Sequence, residues 1–377
     1  AEALNKLTLS LAASYTWTGP NAPVTIPGTT ESFQFSPDQI HREAVSATLP
    51  IYLSGRDKYS REAAGAGVQA AEESVQTALL KVVAAARQAT LRVLRLQQVA
   101  VVDQKRVTAL AEHLRITQAM FDQGTSPRFE VVQAETDLAS VKAEVIRDLT
   151  AVALAKAQLA AQLNLPQGDE LSVEEGVPPT LPEGDLHQLI SLALQQRPEV
   201  LAQDATVRAQ EANLQLARVQ NRPSVALNGT LQNQTQSLAT TNVGWSLSVA
   251  AAWPLIQGGA VEGGIMVAQA ALNSACLTAE SLQQQVALQV TQAQLAWEDA
   301  TQALAVAEQG QVNAAERARI AQVRFSSGVG LGIEVLDAQT DLASAETQVV
   351  NARYELQLAV VALRAALGLT DLPKESI

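Results

Sequence analysis

The chain is poor in everything a compact enzyme is usually built from. Among its 377 residues there is one cysteine, Cys276, so no intrachain disulfide can form. Set in an Ala/Gln-rich stretch, Cys276 is expected to be a small buried packing residue. Aromatic residues make up 3% of the chain, too few for the core of an ordinary domain of this length, whereas Ala, Gln, Leu and Val abound and favour long helices. Positive charge is also scarce: 26 Lys and Arg face 38 Asp and Glu, a formal net charge of −12, with no basic cluster to follow a phosphate backbone. No long apolar run occurs. The most apolar stretch, Leu356–Leu367, is broken by Gln357 and Arg364 and falls short of the roughly 20 residues a spanning helix needs. No transmembrane helix is expected, so insertion into a membrane would be by strands. Ala1 opens no basic and apolar secretory leader, which would have been removed or would lie upstream.

Catalytic patterns are missing as well. His41, His113 and His187 lie in separate segments without Cys or carboxylate at ligand spacing, and are expected at surfaces or helix flanks. Gly258–Gly264 follows a strand and opens a helix but lacks the Lys and Ser/Thr of a phosphate loop, and Gly328–Gly332 joins two helices. No enzyme, cofactor or metal is expected.

What the sequence does contain is itself, twice. FDQGTSPRFEVVQAETDLAS at Phe121–Ser140 returns as FSSGVGLGIEVLDAQTDLAS at Phe325–Ser344, an offset of 204 residues (328 − 124 for Gly124 and Gly328). Pro50 and Pro254 share the offset, so residues 50–165 repeat as 254–369 without a gap. A repeat this long is a duplicated half-protein and not a solenoid unit.

Each half begins with strands. Leu7–Trp17 alternates strictly, with Leu7, Leu9, Leu11, Ala13, Tyr15 and Trp17 opposing Thr8, Ser10, Ala12, Ser14 and Thr16. After a polar connection from Gly19 to about Gln39, Val45–Leu53 alternates, placing Tyr52 with Ser46, Thr48 and Pro50. Val225–Leu231 alternates weakly and Val243–Leu255 strongly. Strands of about 9–13 residues, one face apolar and the other bearing small hydroxyls, suit a tilted bilayer crossing around a wet interior. Tyr15, Trp17, Tyr52, Trp245 and Trp253 near strand ends would then form interfacial girdles. Four strands cannot close a barrel, and lipid tolerates no open edge, so partner chains are required.

Each half continues as a helical hairpin. From about Arg56 to Phe121 no proline occurs, and Val75, Leu79, Val82, Ala86, Ala89, Val93, Leu96 and Ala100 recur in steps of four and three, the seam of a coiled coil. Its twin runs from about Ala260 to Phe325 through Val286, Val290, Ala293, Trp297, Leu304 and Ala318. A glycine turn then reverses the chain into a helix of about 38 residues, with Ser126 as its N-cap, Pro127 as its first residue and Glu130 complementing the dipole. Between the halves come a Pro/Gly/acid-rich loop at Pro166–Pro182, a helix at Leu186–Gln196, an Arg197–Pro198 break and a helix from about Glu199 to Asn221.

Pro50 with Gly55, Pro254 with Gly258 and Gly259, the two tip turns, the TDLAS helices and LHQLISLALQQRPEV together resemble the TolC family of outer-membrane efflux and secretion ducts, over nearly the whole chain. The resemblance implies a mainly α protein with a small β part, in which duplicated helical hairpins form an α-barrel and four antiparallel strands per chain complete a trimeric 12-stranded β-barrel. Residues 6–55 and 223–257 would be barrel strands, 56–165, 199–222 and 258–369 periplasmic α-barrel, and 166–198 with 370–377 an equatorial linker. It further implies an outer-membrane exit duct of a Gram-negative-type bacterium, partnered by a periplasmic adaptor and an inner-membrane pump for multidrug efflux or type I secretion. The tips, Gly124, Thr125, Ser126, Gly328, Val329, Gly330, Leu331 and Gly332, would meet the adaptor, and Glu130, Glu334 and Asp337 would form acidic rings narrowing the pore. A competing reading is a coiled-coil scaffold of the cell envelope, which needs no two-faced strands. Because about 37 residues, Asp185–Asn221, precede the third strand and only Ala1–Asn5 the first, a signal and matching helices are expected upstream.

Overall fold

The computed structural model describes residues 6–17, 24–25, 32–33, 39–166, 171–176, 180–182, 184–235 and 242–369. Residues 370–377, expected to belong to the linker, and most of the connection between 18 and 38 lie outside them. The chain divides into two compact units, one of Ala1–Glu72 with Ala202–Glu280 and one of Glu73–Leu201 with Ser281–Ile377.

The first unit carries the sheet. Strands β1 (Thr8–Trp17), β4 (Gln39–Tyr52), β5 (Ser224–Thr235) and β6 (Val243–Ala252) lie antiparallel in the order β1-β4-β5-β6, and two short strands, β2 (Val24–Thr25) and β3 (Ser32–Phe33), pair with each other. β4 starts before the alternation read from Val45 because Gln39–Ala44 complete the ladder to Ala12–Trp17. β5, weak in pattern, runs on to Thr235 with neighbours on both sides. In the register a bulge falls between Pro50 and Tyr52: Pro50 faces Ala226 and Tyr52 faces Val225, which leaves Ile51 as the extra residue. The added residue reverses the alternation, so Tyr52 shares a face with Val225 and not, as its spacing predicted, with Ser46 and Thr48. Proline brings no ladder donor, which suits such a break.

The same unit holds the junction between strands and helices. Helix α4 (Pro198–Arg218) begins one residue before and ends three residues before its expected limits. Its final turns are closed by Arg56, whose guanidinium donates to the carbonyls of Gln220 at 2.6 Å, Arg222 at 2.7 Å and Val219 at 3.4 Å. A cation meets the carbonyl end of a helix here, where the dipole favours it.

The duplication is visible in the helices residue for residue. α1 (Arg56–Asp122) and α5 (Ala260–Ser326) are both 67 residues, and α2 (Arg128–Gln162) and α6 (Gly332–Ala366) both 35, with every boundary displaced by 204 (260 − 56, 332 − 128). The second helices are three residues shorter than expected because Leu163 and Leu367 cap them. Between the halves, α3 (Leu186–Gln196) opens with a capping box in which Asp185 accepts from the Gln188 amide at 2.8 Å.

In the second unit the core forms several small clusters of Ala, Val and Leu. One joins Leu189 and Ala193 of α3 to Val286 and Val290 of α5 and Leu363 and Leu367 near the end of α6. Another sets Leu110 against Leu138 and Val141. The expected seams are therefore partly covered: Val93, Ala100, Val286, Val290 and Ala318 are buried, whereas Val75 and Val82 are exposed. Cys276 is likewise exposed and not packed inside. Periodicity shows which residues share a face, but these helices carry apolar residues on more than one face and a single chain covers only one. α5 also departs from the reading of the chain as free of spanning-length apolar helix: by length and composition alone it is long and apolar enough, and its most apolar stretch is not buried.

Candidate functional site

Two regions carry the residues singled out from the sequence, and the sheet is the first. Its register puts Leu9, Leu11 and Ala13 of β1 in line with Ala47, Val45 and Glu43 of β4, and these with Gly229, Leu231 and Asn233 of β5. Leu227, Gly229 and Leu231 in turn face Val249, Leu247 and Trp245 of β6. This face is thus apolar from strand to strand through the rows of Leu9 and Leu11, and turns polar at Glu43 and Asn233 toward the end that Gln39 begins. The other carries Ser10, Ser46, Thr48, Asn228, Thr230, Gln232, Ser246 and Ser248. These polar side chains bond across strands: the Thr48 hydroxyl to Asn228 Oδ1 at 3.1 Å, and Arg42 Nη2 to Gln234 Oε1 at 2.8 Å.

Among the described residues of this unit, none covers the apolar face. Leu9, Leu11, Leu247 and Val249 are all exposed by 65% or more, and every residue of the two edge strands β1 and β6 is exposed. The five aromatics fall into two groups. Tyr15, Trp17 and Trp245 lie toward the end where β1 meets Gln39, while Tyr52 and Trp253 lie where β4 and β6 lead into helices. All five are exposed, and the Tyr15 ring lies 4.5 Å from that of His41.

The second region is the pair of helix reversals, both in the second unit. Their geometry is duplicated: the Gly124 amide bonds Phe121 O at 2.8 Å and the Thr125 amide Met120 O at 2.9 Å, while Gly328 bonds Phe325 O at 2.9 Å and Val329 bonds Arg324 O at 3.1 Å. Gly124 and Gly328 have φ of 74° and 76°, the left-handed conformation that ends a helix this way. At Gly330 the reason for glycine is space, since a Cβ there would stand 2.9 Å from the Phe325 nitrogen.

Not every expected contact residue is available at the tips. Gly124, Thr125, Val329 and Leu331 are exposed, and Gly330 and Gly332 half-buried. Ser126, however, is buried, and it is not the N-cap. Pro127 holds that position with φ −74° and ψ 152°, and no side chain caps the helix. The Ser126 hydroxyl instead donates to Glu130 Oε2 at 2.7 Å. The backbone reason is that Pro127 remains extended, so the first helical residue is Arg128.

The three acids proposed from sequence do not meet within one chain. Glu130 lines a cavity with His113, Thr117, Gln133, Asp137 and Gly332. Glu334 and Asp337 line a groove on the α5 side with Arg317 and Arg324, and Arg324 lies 3.7 Å from Glu334. Sequence reading missed two features. Phe129 and Ile333, one residue into each second helix, are exposed by 74% and 54%, and His113 is buried rather than at a surface. His113 packs against Phe325 at 5.1 Å between ring centroids and against Gly332, which sequence distance conceals. Burial holds its imidazole below the usual histidine range, against the opposing pull of Asp137 and Glu130. Among the described residues no three His, Cys, Asp or Glu side chains are grouped to hold a metal ion.

Comparison with known proteins fits this geometry. The family described as outer membrane efflux protein matches residues 7–165 and 189–369. Outer membrane protein OprJ of Pseudomonas aeruginosa is 25% identical over 347 residues, covering 86% of this chain and 69% of OprJ. Outer membrane efflux protein BepC of Brucella suis is 26% identical over 282 residues, covering 73% of this chain and 60% of BepC. The crystal structure of the outer membrane protein VceC from Vibrio cholerae superposes with a TM-score of 0.78 at 20% identity, covering 97% of this chain and 88% of VceC.

Proposed function

The chain belongs to the outer membrane efflux protein family, whose members are non-enzymatic proteins of the outer membrane, and on that premise we propose that it is a passive exit duct gated at its helical tips. The observation that carries this reading is the two-faced sheet with open edges. A face of Leu, Val and Trp and a face of Ser, Thr, Asn and Gln are what lipid on one side and water on the other require. Edge strands β1 and β6 leave backbone donors and acceptors unpaired, each costing several kcal/mol in hydrocarbon. Pairing β1 of one copy with β6 of the next removes that cost. Three copies of four strands close a 12-stranded barrel, with Tyr15, Trp17 and Trp245 at one interface and Tyr52 and Trp253 at the other.

In this reading the tips are the periplasmic contact surface and gate. Gly124, Thr125, Gly328, Val329, Leu331, Phe129 and Ile333 offer small and apolar groups to the helical hairpin of an adaptor, which links the duct to an inner-membrane pump. Glu130, Glu334 and Asp337, tripled by symmetry, narrow the pore and favour cations. Energy comes from the pump, and the duct provides a polar path for drugs in a tripartite efflux system or for polypeptides in type I secretion.

The test is the protein mass of the detergent-extracted particle, followed by conductance in planar bilayers. Three times 39.8 kDa with a cation-selective conductance is expected. A detergent-independent monomer in the soluble fraction would overturn the duct. Neutralising Glu130, Glu334 and Asp337 together is expected to lower cation selectivity, and unchanged selectivity and conductance would remove the acidic ring from the proposal.

A further inference from the structure

We infer that His113 is a proton-operated latch between the two hairpin tips: neutral, it holds the α5–α6 turn against α1 and α2, and protonated, it releases that turn. Its functional consequence rests on the reading of the tips as a gate. The geometry of the latch does not.

The imidazole sits where three elements meet. From α5 it receives the ring of Phe325, itself 4% exposed, and from α6 it receives Gly332, where even a Cβ would stand 3.8 Å from its Cε1 and Nε2. From α2 and its N-cap come Pro127, Phe129 and Ala134, with Glu130, Gln133 and Asp137 as the polar part of the same cavity. Only 7% of His113 is exposed, and its Nδ1 has no hydrogen-bond partner. A neutral ring tolerates such a position as an apolar filler. An imidazolium does not, because both its nitrogens must then donate and one of them has no acceptor.

The surrounding charges fix the direction of release. The carboxylates lining the cavity, Glu130 and Asp137, both belong to α2, and Glu130 is already engaged by Ser126. α6 and its N-cap contribute only Leu331, Gly332, Ile333 and Leu336 to this cavity, and Arg324 beside Phe325 on α5 is directed to Glu334. On α1 the nearest charges, Glu112 and Arg115, bond each other at 2.7–2.8 Å on the exposed side. A proton on His113 is therefore drawn toward α2 and away from Phe325 and Gly332, so the aromatic contact that ties the second hairpin to the first is lost. Burial lowers the imidazole's proton affinity, so the closed contact is fully stable above the ordinary histidine value near 6.5 and weakens as pH falls below it.

The test uses the full protein reconstituted in lipid, with Cys276→Ser to remove the exposed native thiol and spin labels on Thr125→Cys and Val329→Cys, both exposed tip positions. Distances between labels within one chain are separated from those between copies by diluting labelled with unlabelled protein. Between pH 8 and pH 5 the intrachain distance is expected to lengthen and broaden, with a midpoint below about 6.5. His113→Gln is expected to abolish the transition, and Asp137→Asn to shift its midpoint down by several tenths of a pH unit, since it removes a carboxylate that favours the cation. A distance that does not change with pH, or one that changes equally in His113→Gln and Asp137→Asn, overturns the latch. Conductance recorded on the same samples separates the two readings. A pH-dependent tip distance without a change in conductance supports the latch and sinks the gate, while a conductance change at constant tip distance overturns the latch.

Discussion

The hydroxyl of Ser126 donates to Glu130 Oε2 at 2.7 Å across the first tip, whereas at the duplicated position of the second tip Gly330 has no side chain and Glu334 faces Arg324 at 3.7 Å. Two copies of one turn thus anchor the same carboxylate differently. In the first the acid is tied to its own turn, and in the second to the preceding helix. The backbone bonds that close the turns are nevertheless the same, Thr125 to Met120 and Val329 to Arg324.

This asymmetry makes exchange of the two residues informative. Ser126→Gly removes one hydrogen bond to a carboxylate at a partly buried site and is expected to cost about 1 kcal/mol, with the turn intact. Gly330→Ser is expected to cost more, about 1–3 kcal/mol, because its Cβ would lie 2.9 Å from the Phe325 nitrogen and 3.0 Å from the Arg324 carbonyl carbon, neither of which can move without opening the turn. Urea titration of helical circular dichroism compares the two. Equal losses would show that the second turn is looser than its geometry.

The faces of the sheet should respond oppositely to the same charge. Val249→Arg places a guanidinium on the apolar face beside Leu227, and is expected to cost about 2–4 kcal/mol of stability in lipid if it falls near the mid-plane. Ser248→Arg, one residue away and opposite Asn228 on the polar face, is expected to fold into membranes at near wild-type yield and to reduce cation selectivity. Extraction yield of heat-resistant barrel reports the first effect and reversal potential the second.

Much of this organisation is legible in the residues themselves. The 204-residue offset carries every helix boundary of one hairpin onto the other, and strict alternation in Leu7–Trp17 identifies a two-faced strand. Three things are not legible, each for a physical reason. The bulge at Ile51 changes the face of Tyr52 without altering composition, because register belongs to the pair of strands and not to one of them. Val75 and Val82 lie exposed although their spacing is that of buried residues, and Cys276 although its Ala/Gln-rich setting suggested packing, since neither spacing nor composition says which face the chain itself covers. His113 and Phe325 are 212 positions apart (325 − 113), and only the meeting of two hairpins shows that the histidine is enclosed.

A pH dependence separate from His113 resides in the middle of the first hairpin. Burial, a hydrogen bond with Asp148 and the charge of Asp148 together hold the Asp103 carboxyl above the ordinary aspartate range, against the opposing charge of Arg106. A raised acid binds its proton more readily in the folded chain, so its contribution is fully present below the unfolded value near 3.9 and is lost as pH rises through the folded one. At neutral pH the ionised Asp103 is a net cost. Asp103→Asn is expected to stabilise the chain at pH 7 by less than about 1 kcal/mol, the site being only half-buried and therefore screened, and to flatten the stability profile as pH rises above about 4. Melting curves from pH 4 upward decide it, and an unchanged slope would show that the Asp103 carboxyl is not held above its ordinary range.

One junction between strands and helices is held by a single cation, Arg56, whose duplicated position carries no charge. Arg56 donates to Val219, Gln220 and Arg222, satisfying carbonyls at the end of α4, while the duplicated position at the start of α5 is Ala260. Removing the guanidinium leaves acceptors that α4 cannot satisfy itself and withdraws a charge from the negative end of its dipole. Arg56→Ala is therefore expected to cost about 1.5–3 kcal/mol. Arg56→Lys should recover only part of it, because an ammonium is a compact point charge and cannot spread planar donors over three carbonyls. Hydrogen exchange provides the local measurement: faster exchange in the last turns of α4 and the first residues of β5, with the start of α5 unchanged, is the expected pattern. Equal acceleration at both junctions would mean that Arg56 contributes to global stability and not to this cap.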